Sequence, residues 1–289
     1  MLFTPGNNMR MIHKAGTLGA DAVILDLEDA VPMAEKETAR IFVRDSIQRV
    51  GAEGAEVFVR VNALPTGLTA EDLRWAVQLG LTGVVLPKTE SREDVHEVER
   101  LITELEEEKG MEPGGLALMP LLETARGVLN AREIATASQR IVALGFGALD
   151  FTRDMGINLS QEGTELFYAR SHIALVARAA GVQAIDAPWT DIADREGLVQ
   201  GAKMARQLGF RGKMLIHPSQ IEPVNRVFSP SESEVAYARR MVEAFREAEA
   251  QGLGVISLDG RMVDIANVRQ AEELIARAEA IAQKKSRKE

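Results

Sequence analysis

Several short apolar runs in this 289-residue sequence end in a polar or charged group. The endings are Pro5-Gly6-Asn7-Asn8, Asp26-Leu27-Glu28-Asp29, Arg60-Val61-Asn62, Pro87-Lys88, Glu123, Asp150 with Asp154, Asp186, and His217. One such ending is ordinary helix capping. Acids and bases at nearly every ending are the mark of a site, because they converge wherever the runs converge. Glu123 and Asp150 can hold a hard divalent ion, which takes one or two carboxylates plus water and substrate oxygens. They can equally charge or cap the helices that follow. Arg60 offers a fork for a substrate carboxylate, or a structural partner for Asp26 or Glu28. Arg10 and Lys14, four apart, share a helix face that can meet phosphates or simply face water. His217, before Pro218, reads as a hydrogen-bonding residue at a strand end. His13 and His172 read as structural or exposed.

Positioning such groups requires regular elements, and the sequence alternates strand-like and helical stretches almost throughout. The strand-like runs are Met1–Thr4, Ala22–Leu25, Val57–Val61, Gly83–Leu86, Leu116–Leu121, Ile141–Phe146, Gln183–Ile185 and Lys213–Ile216. They are short and unbroken in apolar character, as strands covered on both faces are. Ser91–Lys109 places Val95, Val98, Leu101, Ile102 and Leu105 on one stripe, so its many charges form a solvated helix face. Thr69 with Asp72, Ser91 with Asp94 and Ser231 with Glu234 have N-cap spacing. Thr124–Ala137 reads as a helix. Eight βα repeats predict a (β/α)8 TIM barrel over 1–228. An open doubly wound sheet is the alternative, but Pro5-Gly6-Asn7-Asn8 is not the glycine-rich turn that fold carries. Residues 229–289 form a C-terminal helical extension: a linker, a helix over Glu234–Gln251, an apolar run Val255–Leu258, a helix over Asp264–Ala282, and a polar tail Lys284–Glu289 expected to fray.

Composition narrows the chemistry. Lys and Arg number 34 against 43 Asp and Glu, a net charge of −9, which disfavours nucleic acid as a partner. No run approaches the length of a membrane span. The N-terminus has no basic segment leading into an apolar one, so no signal peptide is expected and the cytosol is the expected location. There is no Cys, which removes thiolate metal sites, disulfides and Cys nucleophiles. Without Cys or paired His, oxygen ligands and a hard ion remain. P-loop, nucleophile-elbow and HExxH patterns are absent from the sequence.

Taken in order, the motifs resemble the HpcH/HpaI aldolase and citrate lyase β-subunit family. They are Leu2-Phe3-Thr4-Pro5-Gly6-Asn7-Asn8, Asp26-Leu27-Glu28-Asp29-Ala30-Val31, Val59-Arg60-Val61-Asn62, Leu86-Pro87-Lys88 and Leu122-Glu123-Thr124-Ala125-Arg126-Gly127. Gly145-Phe146-Gly147-Ala148-Leu149-Asp150-Phe151, Ile216-His217-Pro218-Ser219-Gln220-Ile221 and Met262-Val263-Asp264 follow. The resemblance covers almost the whole chain and is to citrate lyase β-like proteins, including citramalyl-CoA and malyl-CoA lyases. It implies a barrel, a Mg2+ site on Glu123 and Asp150, and a CoA-thioester substrate whose acid is gripped by Arg60. It also implies CoA contacts at Phe3, Arg10, Lys14, Ile216 and His217. Asp264 matches an acid that reaches a neighbouring subunit's site in related enzymes, which implies a homo-oligomer, a trimer or hexamer. The expected reaction is cleavage of a β-hydroxyacyl-CoA into an acyl-CoA and an α-keto acid. Malyl-CoA thioesterase or malate-synthase-like activity is the alternative, as is a β subunit acting on an acyl-carrier-protein thioester. A non-catalytic scaffold fits poorly with Glu123, Asp150 and Arg60 together.

Overall fold

The computed structural model describes residues 1–160 and 162–286. Eight short strands follow one another: β1 (Leu2–Pro5), β2 (Ala22–Asp26), β3 (Glu56–Arg60), β4 (Gly83–Leu86), β5 (Ala117–Leu122), β6 (Ala143–Phe146), β7 (Gln183–Asp186) and β8 (Gly212–Lys213). Each pairs in parallel with the one before it, in unbroken sequence order. Beyond β8 the Phe3 amide donates to the Leu215 carbonyl at 2.8 Å, and the Leu215 amide donates to that of Met1 at 2.8 Å. The ring is thereby closed into a (β/α)8 barrel.

The two-residue period of a strand decides which side chains enter the barrel. Ala22 and Ile24, Phe58, Val85, Met119 and Leu121, Ala143, Ile185 and Met214 form the interior cluster. Their neighbours Val23, Leu25, Val57, Val59, Val84, Leu86 and Leu118 are equally buried, on the opposite face. Burial on both faces is why the runs show no polar alternation. Counting on by two from the interior side chains reaches Asp26, Arg60 and Glu123. In register, Asp26 stands beside Arg60.

The helices are α1 (Met9–Ala15), α2 (Lys36–Ala52), α3 (Thr69–Ala76), α4 (Arg92–Glu108), α5 (Ala125–Leu129), α6 (Ala131–Ala135), α7 (Ala148–Asp154), α8 (Phe167–Ala180), α9 (Arg195–Leu208) and α10 (Ile221–Phe228). In α4 the Ser91–Asp94 capping box is complete, and Val95, Val98, Ile102 and Leu105 are its buried stripe. The Thr69–Asp72 pair is not a cap. Thr69 Oγ1 donates to the Asn62 carbonyl at 2.8 Å, and Asp72 accepts from the Asn62 amide at 2.7 Å and from Arg40 Nε at 2.7 Å. The two residues anchor the loop after β3 instead. The helix expected over Thr124–Ala137 is interrupted at Asn130, whose side-chain amide donates to the Glu90 carbonyl at 2.8 Å.

The chain divides into two units, Met1–Val224 and Asn225–Glu289. The second holds α11 (Glu232–Glu249), an antiparallel hairpin of β9 (Val255–Leu258) and β10 (Arg261–Asp264), and α12 (Ile265–Ser286). Its small core is Ala238, Val242, Phe245, Val263, Val268 and Ala271. The Ser231–Glu234 capping box starts α11. Of the tail expected to fray, α12 continues through Ser286, and 287–289 lie outside the described residues. No described helix is long and apolar enough to cross a membrane.

Strand β4 leaves no room beside β3 and β5. A Cβ on Gly83 would sit 2.5 Å from the Ala117 carbonyl oxygen and 2.8 Å from the Phe58 ring. Gly83→Ala should therefore destabilise the barrel by about 1–3 kcal/mol, read as a lower urea midpoint. An unchanged midpoint would contradict the packing described.

Candidate active site

Strand β2 delivers Asp26 to the mouth, where it is 1% exposed and clamps Arg60 at the end of β3. Arg60 Nε donates to Asp26 Oδ1 at 2.7 Å and Nη2 to Oδ2 at 2.6 Å. Nη1 lies 3.0 Å from Glu28 Oε2, but that oxygen is buried without a hydrogen bond. Two of the five guanidinium N–H groups are thus taken by Asp26, and the rest of the fork is not committed to a hydrogen bond there. The Phe3 ring lies 4.7 Å from Arg60 Cζ, a cation–π contact that fixes the plane of the fork. The two readings of Arg60 are therefore compatible: it is paired to Asp26 and Glu28 and still has donors left. The loop carrying Glu28 is pinned by Lys36, whose buried ammonium donates to the Leu27 and Glu28 carbonyls at 2.6 Å each. Nothing in the sequence singles out Lys36, since a lysine opening a helix is commonplace.

Glu123 follows β5 and is 3% exposed. Its Oε2 accepts from the Lys88 amide at 2.8 Å. Oε1 lies where a Cβ on Gly147 would come within 2.3 Å, so only glycine at 147 leaves room for the carboxylate. Burial, the Glu28 carboxylate and, more weakly, Asp150 push Glu123 up to about 7, against the pull of Arg60 and the Lys88 amide. Asp150 sits in the first turn of α7, half-buried, and pairs with exposed Arg153 at 2.5 Å. Burial likewise raises Glu28, while Arg60 and the Lys88 ammonium, which is bonded to Glu28 Oε1, resist it. Burial would also raise Asp26, but Arg60's charge and hydrogen bonds hold it below the usual carboxylate range.

Three buried carboxylates, Asp26, Glu28 and Glu123, thus share two side-chain cations, Arg60 and Lys88, and Asp150, itself paired with Arg153, adds its charge at Glu123. This surplus, with an unbonded buried oxygen on Glu28, suits a hard divalent cation held by Glu123 and Asp150. Among the described residues no group of three or more His, Asp or Glu gathers for a metal. Two carboxylates suffice for Mg2+, which keeps waters and substrate oxygens as its remaining ligands.

The other residues singled out by sequence are dispersed. Arg10 and Lys14 are exposed on α1. Ile216 is 38% exposed. His217 Nδ1 lies 2.7 Å from Ser219 Oγ and caps the turn after it. Asp154 accepts from the Ala125 amide at 2.7 Å, tying α7 to the loop after Glu123. Asp186 does not face the mouth. It is one residue out of phase with interior Ile185 and is fully buried between Arg170 of α8, at 2.9 Å, and Lys213, at 2.5 Å. It braces β7, β8 and α8. Asp264 belongs to the second unit, where Oδ1 accepts from the amides of Ala266 at 2.9 Å and Asn267 at 3.2 Å, capping α12.

The HpcH/HpaI aldolase/citrate lyase family description matches residues 1–218. The chain belongs to that family. It is 43% identical to the citrate lyase subunit beta of Leuconostoc mesenteroides subsp. cremoris over 280 residues, covering 97% of this chain and 93% of that protein. It is 32% identical to the mitochondrial citramalyl-CoA lyase of Homo sapiens, covering 98% and 86%. Among solved structures, CitE from Mycobacterium tuberculosis in complex with magnesium, acetoacetate and coenzyme A aligns with a TM-score of 0.77. It is 35% identical and covers 96% of each chain. That solved structure shares the barrel whose mouth is described above.

The raised Glu123 sets a pH-dependent cost. Below about pH 4.5 the carboxyl is protonated folded or unfolded and costs nothing. Between 4.5 and about 7 only the unfolded chain ionises, so folding stability falls as pH rises, and above 7 the full penalty stands. Metal-free Glu123→Gln should accordingly be more stable than wild type at pH 8, by on the order of 1–3 kcal/mol, with the gain vanishing near pH 4. Denaturant titrations in EDTA at both pH values measure it, and a loss of stability at pH 8 would contradict the account.

Proposed function

We propose that the chain is a Mg2+-dependent carbon–carbon lyase. It cleaves a β-hydroxyacyl thioester of the citryl, citramalyl or malyl type into an acyl thioester and an α-keto acid. The observation that carries this reading is the buried Glu123 carboxylate, set on the barrel's interior tier beside Arg60 and surrounded by a surplus of acids. When bound to Glu123 and Asp150, Mg2+ supplies a Lewis acid next to the substrate hydroxyl. Arg60 takes the substrate carboxylate with its remaining N–H groups and aligns the bond that breaks. The electron pair of that bond passes to the carbon beside the thioester carbonyl, and the hydroxyl-bearing carbon becomes the keto carbon. A proton then completes the acyl product, balancing the one lost from the hydroxyl. We assign its delivery to Asp264 of a neighbouring subunit. Arg10 and Lys14 meet the phosphates of CoA, with Phe3, Ile216 and His217 lining the remainder of its path.

The similarity to a citrate lyase subunit beta, at 43% identity, favours a second form of the thioester, carried on an acyl-carrier protein. Comparison of citryl-CoA with a citryl carrier protein separates the two. In either case cleavage by the purified chain should stop in EDTA and return with Mg2+. Turnover that survives exhaustive chelation would remove the metal from the reaction. Arg60→Lys should lower kcat/KM by roughly 100-fold, because an ammonium cannot reproduce a fork clamped on one side and binding on the other. Mixed oligomers of inactive Asp264→Asn and Glu123→Ala protomers should regain activity. Hybrids proven to exchange subunits that stay inactive would place Asp264 outside the neighbour's site.

A further inference from the structure

Lys88, the first residue beyond Pro87 at the end of β4, has φ +50, a left-handed conformation that residues with a Cβ avoid. The kink is imposed from the next residue. Thr89 is buried; its hydroxyl donates to the Leu86 carbonyl at 2.9 Å and its amide to the Leu121 carbonyl at 3.1 Å. With Thr89 fastened to β5, the backbone at Lys88 must turn left. The turn aims two groups in different directions. The Lys88 amide reaches Glu123 Oε2 at 2.8 Å, and the ammonium binds Glu28 Oε1, with Asp29 Oδ2 3.5 Å away. One residue thereby joins the carboxylate offered to the metal to the acid that flanks Arg60, across the intervening strand β3.

We propose that Lys88 is a positioning residue for the substrate acid, an inference that rests on the lyase reading above. Its ammonium holds Glu28 by Oε1 and supplies the second positive charge of the mouth. Glu28 Oε2 stays 3.0 Å from Arg60 Nη1 without a hydrogen bond, so the fork keeps donors for an incoming carboxylate. Without the ammonium, Glu28 is free to turn fully onto the guanidinium and occupy the donors that the substrate needs. The backbone amide does a separate task, orienting Glu123, and does so whatever side chain is attached. The two tasks are therefore separable by substitution. Glycine adopts positive φ without strain and keeps the N–H, so Lys88→Gly removes the side chain with its ammonium and leaves the amide to Glu123 in place.

The side chain is 26% exposed, which leaves its place reachable by a small cation from solvent. The test uses the full chain with Mg2+, oxaloacetate as the α-keto acid probe, and titration calorimetry. Lys88→Gly should bind oxaloacetate roughly 10-fold more weakly and raise KM by a similar factor, with kcat nearly unchanged. Its affinity for Mg2+ alone should stay within about twofold of wild type, because the Glu123 contact is backbone. Ethylammonium should restore oxaloacetate binding to the glycine variant, while tetramethylammonium, which has no N–H to donate, should not. Unaltered oxaloacetate affinity, a fall in Mg2+ affinity as large as the fall in keto-acid affinity, or no response to ethylammonium would each overturn the proposal. If wild type binds none of oxaloacetate, pyruvate and glyoxylate with Mg2+, the lyase reading falls as well; if it binds pyruvate or glyoxylate instead, that acid takes the place of oxaloacetate as the probe. If wild type binds and the variant matches it, only the role of Lys88 falls.

Discussion

A surplus of negative charge at the barrel mouth is the constraint on which the rest of the site depends. Asp26, Glu28 and Glu123 are all buried, and Asp150 adds its charge at Glu123; among the described residues the side chains of Arg60 and Lys88 answer the buried three, while Asp150 pairs with exposed Arg153 and Lys36 holds the Glu28 loop by its carbonyls. A protein interior does not tolerate unpaired carboxylates, so this arrangement needs either a proton or a cation. Burial and like charge hold Glu123 near 7. A divalent ion that bound Glu123 at ordinary pH would therefore displace its proton to solvent, a coupling common to carboxylate metal sites. Asp26 meets the opposite fate, because Arg60 grips both of its oxygens. Two carboxylates on one interior tier differ in protonation because one has a fork and the other only an amide.

The barrel makes this surplus stable enough to fold. Asp26 and Glu123 each continue a strand whose preceding interior side chain, Ile24 before Asp26 and Leu121 before Glu123, is apolar and buried. The site's irregularities are held by groups outside it: Lys36 under the Glu28 loop, Thr89 behind Lys88, and Gly147 against Glu123. Below the mouth, buried pairs of another kind, Arg140 with Glu106 and Asp186 with Arg170 and Lys213, tie strands to helices. In those groups every carboxylate oxygen accepts from a cation or an amide, in contrast to Glu28 Oε2 at the mouth. The difference in satisfaction, more than in burial, separates structural from functional charge in this molecule.

Much of the fold was legible in the sequence because strands covered on both faces read as unbroken apolar runs, and all eight runs lie on or beside strands. The last is the least regular. Lys213–Ile216 reads as a strand, but only Gly212–Lys213 pairs with β7, and the following residues turn to close on β1. Thr69 and Asp72 have capping spacing and serve Asn62 instead, since spacing does not say which backbone amide lies nearest. Of β9 and β10, only the first was visible, because Arg261–Asp264 has a charge at both ends and one buried side chain. At the site, strand-end position marked Arg60, Glu123 and Asp150. Asp186 looked alike in sequence, and its one-residue phase difference from the interior set it on the helix side. The left-handed turn at Lys88 left no trace in residue type.

The lyase reading requires that this mouth break a carbon–carbon bond of a thioester substrate and leave the thioester intact. Counting products from purified chain with Mg2+ and citryl-, citramalyl- and malyl-CoA tests it most directly, with keto acid and free thiol measured in the same reaction. One keto acid for each substrate consumed and no free thiol are expected from at least one of the three. Free thiol released in step with substrate loss, without keto acid, would contradict it and make the site that of a thioesterase.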